Sequence, residues 1–225
     1  MSAGFRIKMS WDRVERTLVD AFRSIPVANV SDSMHRLTGM GNRLRPMHRD
    51  GVLAGPALTV RSRPGDNLML HKAIDMAHPG DVIVYDGGGD VTNAVIGEMM
   101  VAHAKVRKVA GFVIYGAVRD SEALMEINLP IYGLGITPRG PYRDGPGEIG
   151  LPISIEGIPI APGDLMLGDR DGLLAVPRGS AADVLLQAQQ KTVAETRQMA
   201  QILAGQMDRS WIDRVLSEKG CEIVE

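Results

Sequence analysis

A single cysteine, Cys221, is all the thiol in this chain of 225 residues. No intrachain disulfide can form and no thiolate cluster can hold zinc, so any metal must rely on oxygen or imidazole. An excess of one charge sign is also missing: 25 Lys and Arg stand against 27 Asp and Glu, with no basic block. The electrostatic footprint of a nucleic-acid binder is therefore absent. Long apolar runs are missing too. No window reaches membrane-spanning length, and the opening Met1 to Lys8 lacks the apolar core of a signal peptide, so we expect a cytoplasmic protein with neither membrane nor nucleic acid as partner. There is no internal repeat and no linker composition. With 44% apolar residues, the chain can bury one good-sized core, which predicts one domain over residues 1–225 with a C-terminal helical extension.

What is present reads as strands in the middle flanked by helices. Ser10 is a possible N-cap for an amphipathic helix over residues 10–24, ended by Pro26, and a second short helix is expected from Ser31 or Asp32, with Asp32 as its cap. Residues 39–46 read as a loop, whose Arg43 and Arg45 we expect to be solvated rather than ligand-bound. A strand over 57–63, a helix over 67–77 carrying a structural His71, and a buried strand over 82–85 follow. Residues 140–150, with four glycines and two prolines, predict a surface loop rather than a core element. Beyond it we expect a hairpin turning at Glu156-Gly157, strands over 164–167 and 173–176, a helix over 180–203 and a shorter one over 207–217. This pattern supports an α/β sandwich with a mixed sheet.

The chemistry is expected between Gly97 and Asp120. Gly97 lets the backbone approach a ligand, and the first N–H groups of the helix it opens have no internal acceptors, so Gly97, Glu98, Met99 and Met100 form a plausible anion site. A buried strand from Gly111 to Tyr115 then leads to Arg119 and Asp120 at its end. Arg can grip a carboxylate with a planar fork of donors, and Asp can offer hard oxygens to a divalent ion. Alone, such a dipeptide reads more readily as a weak surface ion pair. The glycine-rich turn Gly87-Gly88-Gly89 invites a nucleotide-binding reading, but Thr92 stands where the third glycine of the dinucleotide fingerprint belongs. A methyltransferase reading of the same segment lacks any further donor-binding motif.

The spacing weighs against the surface-pair reading. Glu98, twenty intervening residues and Arg119-Asp120 resemble the acidic-X20-Arg-Asp motif of the class II pyruvate aldolases that act on 4-hydroxy-4-methyl-2-oxoglutarate and 4-carboxy-4-hydroxy-2-oxoadipate. Their superfamily includes the regulator of ribonuclease E activity. Val30 to Ser33, Gly55 to Val60, Pro79 to Val84, Gly111 to Gly116 and Pro162 through Gly172 look like that superfamily in the same order, so the resemblance covers roughly residues 12–205.

The resemblance implies a layered α-β-β-α sandwich of the swivelling β/β/α type, assembled as a homotrimer or dimer of trimers with sites at subunit boundaries. It implies that the backbone of Gly97 to Met100 and the side chain of Arg119 hold the pyruvate portion of a small 2-oxo acid. Asp120 would ligate Mg²⁺ or Mn²⁺, and Glu98 would act on the water around it. The enolate left by carbon–carbon cleavage would be stabilised by that metal. A metal-bound water is the preferred base. Glu195, where the family has an acidic residue from the neighbouring subunit, reads equally as an exposed helix carboxylate. Glu98 replaces the Asp of the best-defined aldolases, so oxaloacetate decarboxylation, which needs the same enolate, is expected to survive better than any one aldol specificity. The competing expectation is a non-catalytic protein that binds ribonuclease E. That branch lacks the Asp of the Arg-Asp pair, so Asp120 favours the enzyme.

Overall fold

The computed structural model describes residues 4–224, so expectations for Met1 to Ala3 and for Glu225 lie outside it. In chain order the first elements are β1 (Arg6–Ile7), α1 (Arg16–Phe22), α2 (Val27–Ser33), β2 (Arg45–Pro46), β3 (Leu53–Ser62), α3 (Leu68–Met76) and β4 (Val82–Asp86). The site-bearing middle follows as β5 (Ala94–Ile96), α4 (Glu98–Val106), β6 (Gly111–Val118), α5 (Ser121–Ile127) and β7 (Ile131–Ile136). Then come β8 (Gly147–Ile149), β9 (Ile153–Ile155), β10 (Ile158–Ile160), β11 (Leu165–Gly168), β12 (Leu173–Val176), α6 (Ala181–Leu203) and α7 (Trp211–Glu218).

Alternation along the strands sorts the side chains into layers. Strands β3, β4, β6 and β7 pair in parallel in that order. One face of them, with Leu58, Ile83, Tyr85, Phe112, Ile114 and Ile131, packs under α3, α4 and α5. The opposite face, with Ala57, Val82, Val84, Val113 and Tyr132, meets Met166, Leu173 and Ala175 of β11 and β12 and the β9–β10 hairpin. The far side of β11 and β12, with Leu165, Leu167, Leu174 and Val176, is covered by α1, α2 and the start of α6. The result is the expected α-β-β-α layering. β3 joins the two inner layers because its first half pairs with β11 and its second half with β4.

Two Pro-Gly-Asp turns use one device. Asp81 accepts the N–H of His78 at 3.0 Å and Asp164 that of Ala161 at 2.8 Å, while Gly80 (φ 94°) and Gly163 (φ 87°) take the left-handed position after proline. These turns launch β4 and β11.

Three local expectations are corrected. The first helix begins at Arg16, because the N–H of Val14 goes to Gly163 O at 2.9 Å and Arg13 is drawn into a two-pronged bond with Asp81. The second begins at Val27, directly after Pro26, and the side chain that receives its first N–H is Asp169 at 2.9 Å, not Asp32. Asp32 lies inside the helix and pairs with Arg36 at 2.7 Å. Within the expected loop over 140–150, β8 is inserted between β1 and β3, with Ile149 fully buried. Gly147 permits this, since a side chain there would run into Met69 and the backbone of Arg61.

The chain divides into two compact units, up to Ala188 and from Gln189 onward. The second holds the rest of α6, a turn at Gly205 (φ 68°) and α7. No helix among the described residues is long and apolar enough to cross a membrane.

Candidate active site

Parallel strands in an open α/β sheet present their carboxyl ends to ligands, and Arg119 and Asp120 stand immediately beyond the last residue of β6. The Arg119 N–H is held by Ile96 O at 3.0 Å, which ties this end to β5 and sets Gly97 opposite the pair. Gly97 is extended (φ −152°, ψ −167°) and caps α4. Only glycine fits there: a Cβ would collide with the Asp120 carboxylate and lie 2.8 Å from Arg119 Cγ.

Asp120 occupies the left-handed region (φ 57°, ψ 43°) at the start of α5, a conformation that non-glycine residues adopt at a cost of about 1 kcal/mol or more. That twist turns its carboxylate towards α4, where Oδ2 accepts the Glu98 N–H at 3.0 Å. The N–H groups of Met99 and Met100, in the same first turn, have no intrahelical acceptor. Arg119 Nε is 3.6 Å from Asp120 Oδ2, and both side chains are about two-fifths exposed. The two do not form a tight pair, so the guanidinium fork is left for another partner. Glu98 is exposed.

Arg119 borders two hollows. One is a broad cleft of about 550 Å³ with Asp120, Ser121, Glu122 and Thr137. The other, about 140 Å³, is lined by Asn67, His71, Gly97, Met100, Arg119 and Arg143 among others. Asn67 is 2% exposed, and its orientation is set by a bond from Nδ2 to Val95 O at 3.0 Å. Its Oδ1 and the Nε2 of His71 are both buried without a partner among the described residues. Buried polar atoms without partners are uncommon in folded proteins and mark places where another molecule completes the bonding. Burial, seconded by the Arg143 charge, holds His71 below the usual imidazole range, with His103 adding to the effect and Asp75 opposing it.

The loop carrying Arg143 is fastened by a buried carboxylate. Asp66, fully buried, accepts the N–H groups of Asp144 and Gly145 at 2.7 and 2.8 Å through Oδ2, and that of Leu68 at 2.9 Å through Oδ1. One residue therefore locks the loop to the start of α3, where Asn67 and His71 reside. The sequence reading passed over Asn67 and Arg143. The available signal was the four-residue spacing of Asn67 and His71, which places both on one helix face.

The glycine-rich turn after β4 offers no phosphate cradle. Its N–H groups are already spent: Gly87 and Gly89 on Tyr115 O at 3.2 and 3.3 Å, and Gly88 on Asp86 at 3.0 Å. Arg43, expected to be solvated, pairs with Glu156 at 2.8 Å beside Tyr115. Glu195 lies on α6 in the second unit, paired with Lys191 at 3.2 Å.

The family model described as Aldolase/RraA matches residues 27–175. The chain belongs to this family. It is 41% identical over 179 residues, 80% of this chain and 85% of the relative, to a provisionally named 4-hydroxy-4-methyl-2-oxoglutarate aldolase of Halalkalibacterium halodurans. A protein of Thermus thermophilus named 4-hydroxy-4-methyl-2-oxoglutarate aldolase is 36% identical over 112 residues, 50% of this chain and 68% of that protein. Among solved structures of the Aldolase/RraA fold, an RNA-processing inhibitor RraA from Thermus thermophilus superposes with a TM-score of 0.63 at 30% identity, covering 68% of this chain and 92% of the other. Every residue of the cavity and of the Gly97–Asp120 arrangement falls inside the matched span.

Proposed function

We propose that this protein is a lyase that cleaves 4-hydroxy-4-methyl-2-oxoglutarate or a related 4-hydroxy-2-oxo acid to release pyruvate, and that it decarboxylates oxaloacetate through the same enolate. The observation that carries this reading is the meeting, at one strand end, of an unengaged Arg119 fork, an Asp120 carboxylate aimed by the Glu98 N–H, and the open N–H groups of Met99 and Met100. The names of the family relatives agree with it.

In the reaction the C4 hydroxyl gives up its proton, the C3–C4 bond breaks with its electron pair passing to C3, and C4 becomes a carbonyl. Arg119 holds the carboxylate of the pyruvate portion through two parallel bonds, and the α4 N–H groups receive the remaining oxygens. Fixed donors of this kind need no reorganisation as negative charge develops. Among the described residues no group of three or more His, Cys, Asp or Glu gathers as a metal cage. A lone carboxylate with one oxygen unengaged suits Mg²⁺ or Mn²⁺, which keeps waters and takes one or two carboxylates plus substrate, and does not suit zinc. Asp120 would hold such an ion and Glu98 would order its waters; when bound, the ion supplies the positive charge that offsets the enolate oxygen. Completion of the site by Glu195 of a neighbouring subunit, in a homotrimer or dimer of trimers, belongs to the same proposal.

The test is pyruvate release from 4-hydroxy-4-methyl-2-oxoglutarate and from oxaloacetate, with Mg²⁺ or Mn²⁺ and with excess chelator. Release that needs the ion is expected. Full activity at negligible metal content removes the metal from the mechanism. No release from either substrate, together with inhibition of ribonuclease E in vitro, would favour the second reading, a non-catalytic regulator, which the likeness to an RNA-processing inhibitor supports.

A further inference from the structure

Asn67, His71 and Asp75 follow one another at four-residue intervals along α3, and the helical bond from the His71 N–H to Asn67 O at 3.0 Å confirms the stacking of the first two. Such spacing lays side chains in a row on one helix face. The row runs between two hollows. At one end is the cavity with Gly97 and Arg119; at the other is a hollow of about 200 Å³ lined by His71, Asp75, Met99, Met100 and His103. His71 is the titratable residue common to both. Asp75 and His103 stand at the outer end, 3.7 Å apart and mostly exposed.

We propose that His71 is the proton carrier of the lyase reaction, taking the proton from the C4 hydroxyl and returning it to C3 of the pyruvate enolate. The inference rests on the lyase reading above. The balance is internal: the O–H bond breaks and an N–H bond forms on Nε2, the C3–C4 pair moves to C3, and the N–H bond then breaks as C3–H forms. No co-reactant is consumed. The neutral imidazole that this requires is what the surroundings favour, since burial, Arg143 and His103 all disfavour the cation and only Asp75 opposes them; Arg119, lining the same cavity, adds like charge. An imidazole held below its ordinary value is neutral at pH 7 and so able to accept a proton there. The Nε2 atom is buried without a partner among the described residues, so none of them competes for that position. Asp75 and His103, at the outer hollow, give the imidazole a route to exchange with solvent.

The test is exchange of the methyl protons of pyruvate for deuterium in D₂O, followed by NMR with Mg²⁺ present, for the wild-type protein and for His71→Gln and His71→Asn. The wild type is expected to exchange, with a rate that rises as the pH climbs through the lowered imidazole pKa, below the ordinary 6.5. Both variants are expected to lose at least about 100-fold in exchange while still binding pyruvate. Exchange at the wild-type rate in either variant overturns the proposal and leaves the lyase reading standing. Loss of pyruvate binding together with exchange assigns His71 a structural role and also overturns it. A wild-type profile with no rise anywhere below about pH 6.5 does so without any variant. A wild type that neither exchanges nor releases pyruvate removes the lyase reading itself, and the proposal with it.

Discussion

Asp120 Oδ2 accepts the backbone N–H of Glu98 at 3.0 Å across twenty-two positions of sequence, and this bond fixes the direction of the carboxylate at the strand end. The left-handed backbone of Asp120 (φ 57°) is what allows the bond. Strain of this kind persists where surrounding contacts over-determine it, and it concentrates at functional positions. The negative carboxylate also lies at the positive end of α4, a favourable placement.

Asp120→Asn keeps a residue that tolerates the left-handed region and an oxygen able to accept the Glu98 N–H. The variant should fold as the wild type does, yet lose about 10²–10³ in pyruvate release even at saturating substrate and bind Mn²⁺ more weakly. Arg119→Lys keeps the charge without the fork, so KM should rise and kcat fall while Mn²⁺ affinity is unchanged. Steady-state kinetics alongside Mn²⁺ titration distinguishes the two; equal loss of metal in both would show the roles to be misassigned.

Gly97→Ala adds one methyl group where Asp120 and Arg119 already lie in contact. The carboxylate or the helix start must shift, and a displacement of about 1 Å costs roughly 100-fold in rate. Circular dichroism should be unaltered while pyruvate release collapses. Retained activity would mean that the Gly97 approach is not needed for the chemistry.

Asp66→Ala leaves the N–H groups of Leu68, Asp144 and Gly145 without their acceptor in a buried place. We expect a loss of about 1–3 kcal/mol for each buried donor left unpaired, read from urea unfolding. Because the same carboxylate fastens the Arg143 loop to α3, hydrogen exchange should quicken in that loop ahead of the central strands.

His71 predicts a direction for stability against pH. Its folded pKa lies below the ordinary 6.5, chiefly through burial. Above that value neither the folded nor the unfolded chain carries the proton, and His71 contributes nothing. As pH falls through about 6.5 the unfolded chain is protonated first, so stability is lost until the folded pKa is passed. His71→Gln should flatten this part of the profile, measured as unfolding midpoints at several pH values from about 7.5 to 5. An identical profile in the variant would show that burial does not disfavour the His71 cation.

The continuous apolar runs of β4, β6, β11 and β12, buried on both faces, and the helical repeats of α3 and α6 were legible in the sequence. The Arg119-Asp120 exit from β6 is likewise local. The elements misread were those governed by distant partners. The start of α1 is set by Gly163 and Asp81, the cap of α2 by Asp169, and β8 by the gap between β1 and β3. The site divides in the same way. Gly97 could be singled out as a helix start and Glu98, Arg119 and Asp120 by their resemblance to a family motif. The left-handed turn of Asp120, and the burial of Asn67 Oδ1 and His71 Nε2 in residues that line a common cavity, depend on which segments the sheet order brings together, and no pattern within eight or ten residues carries that information.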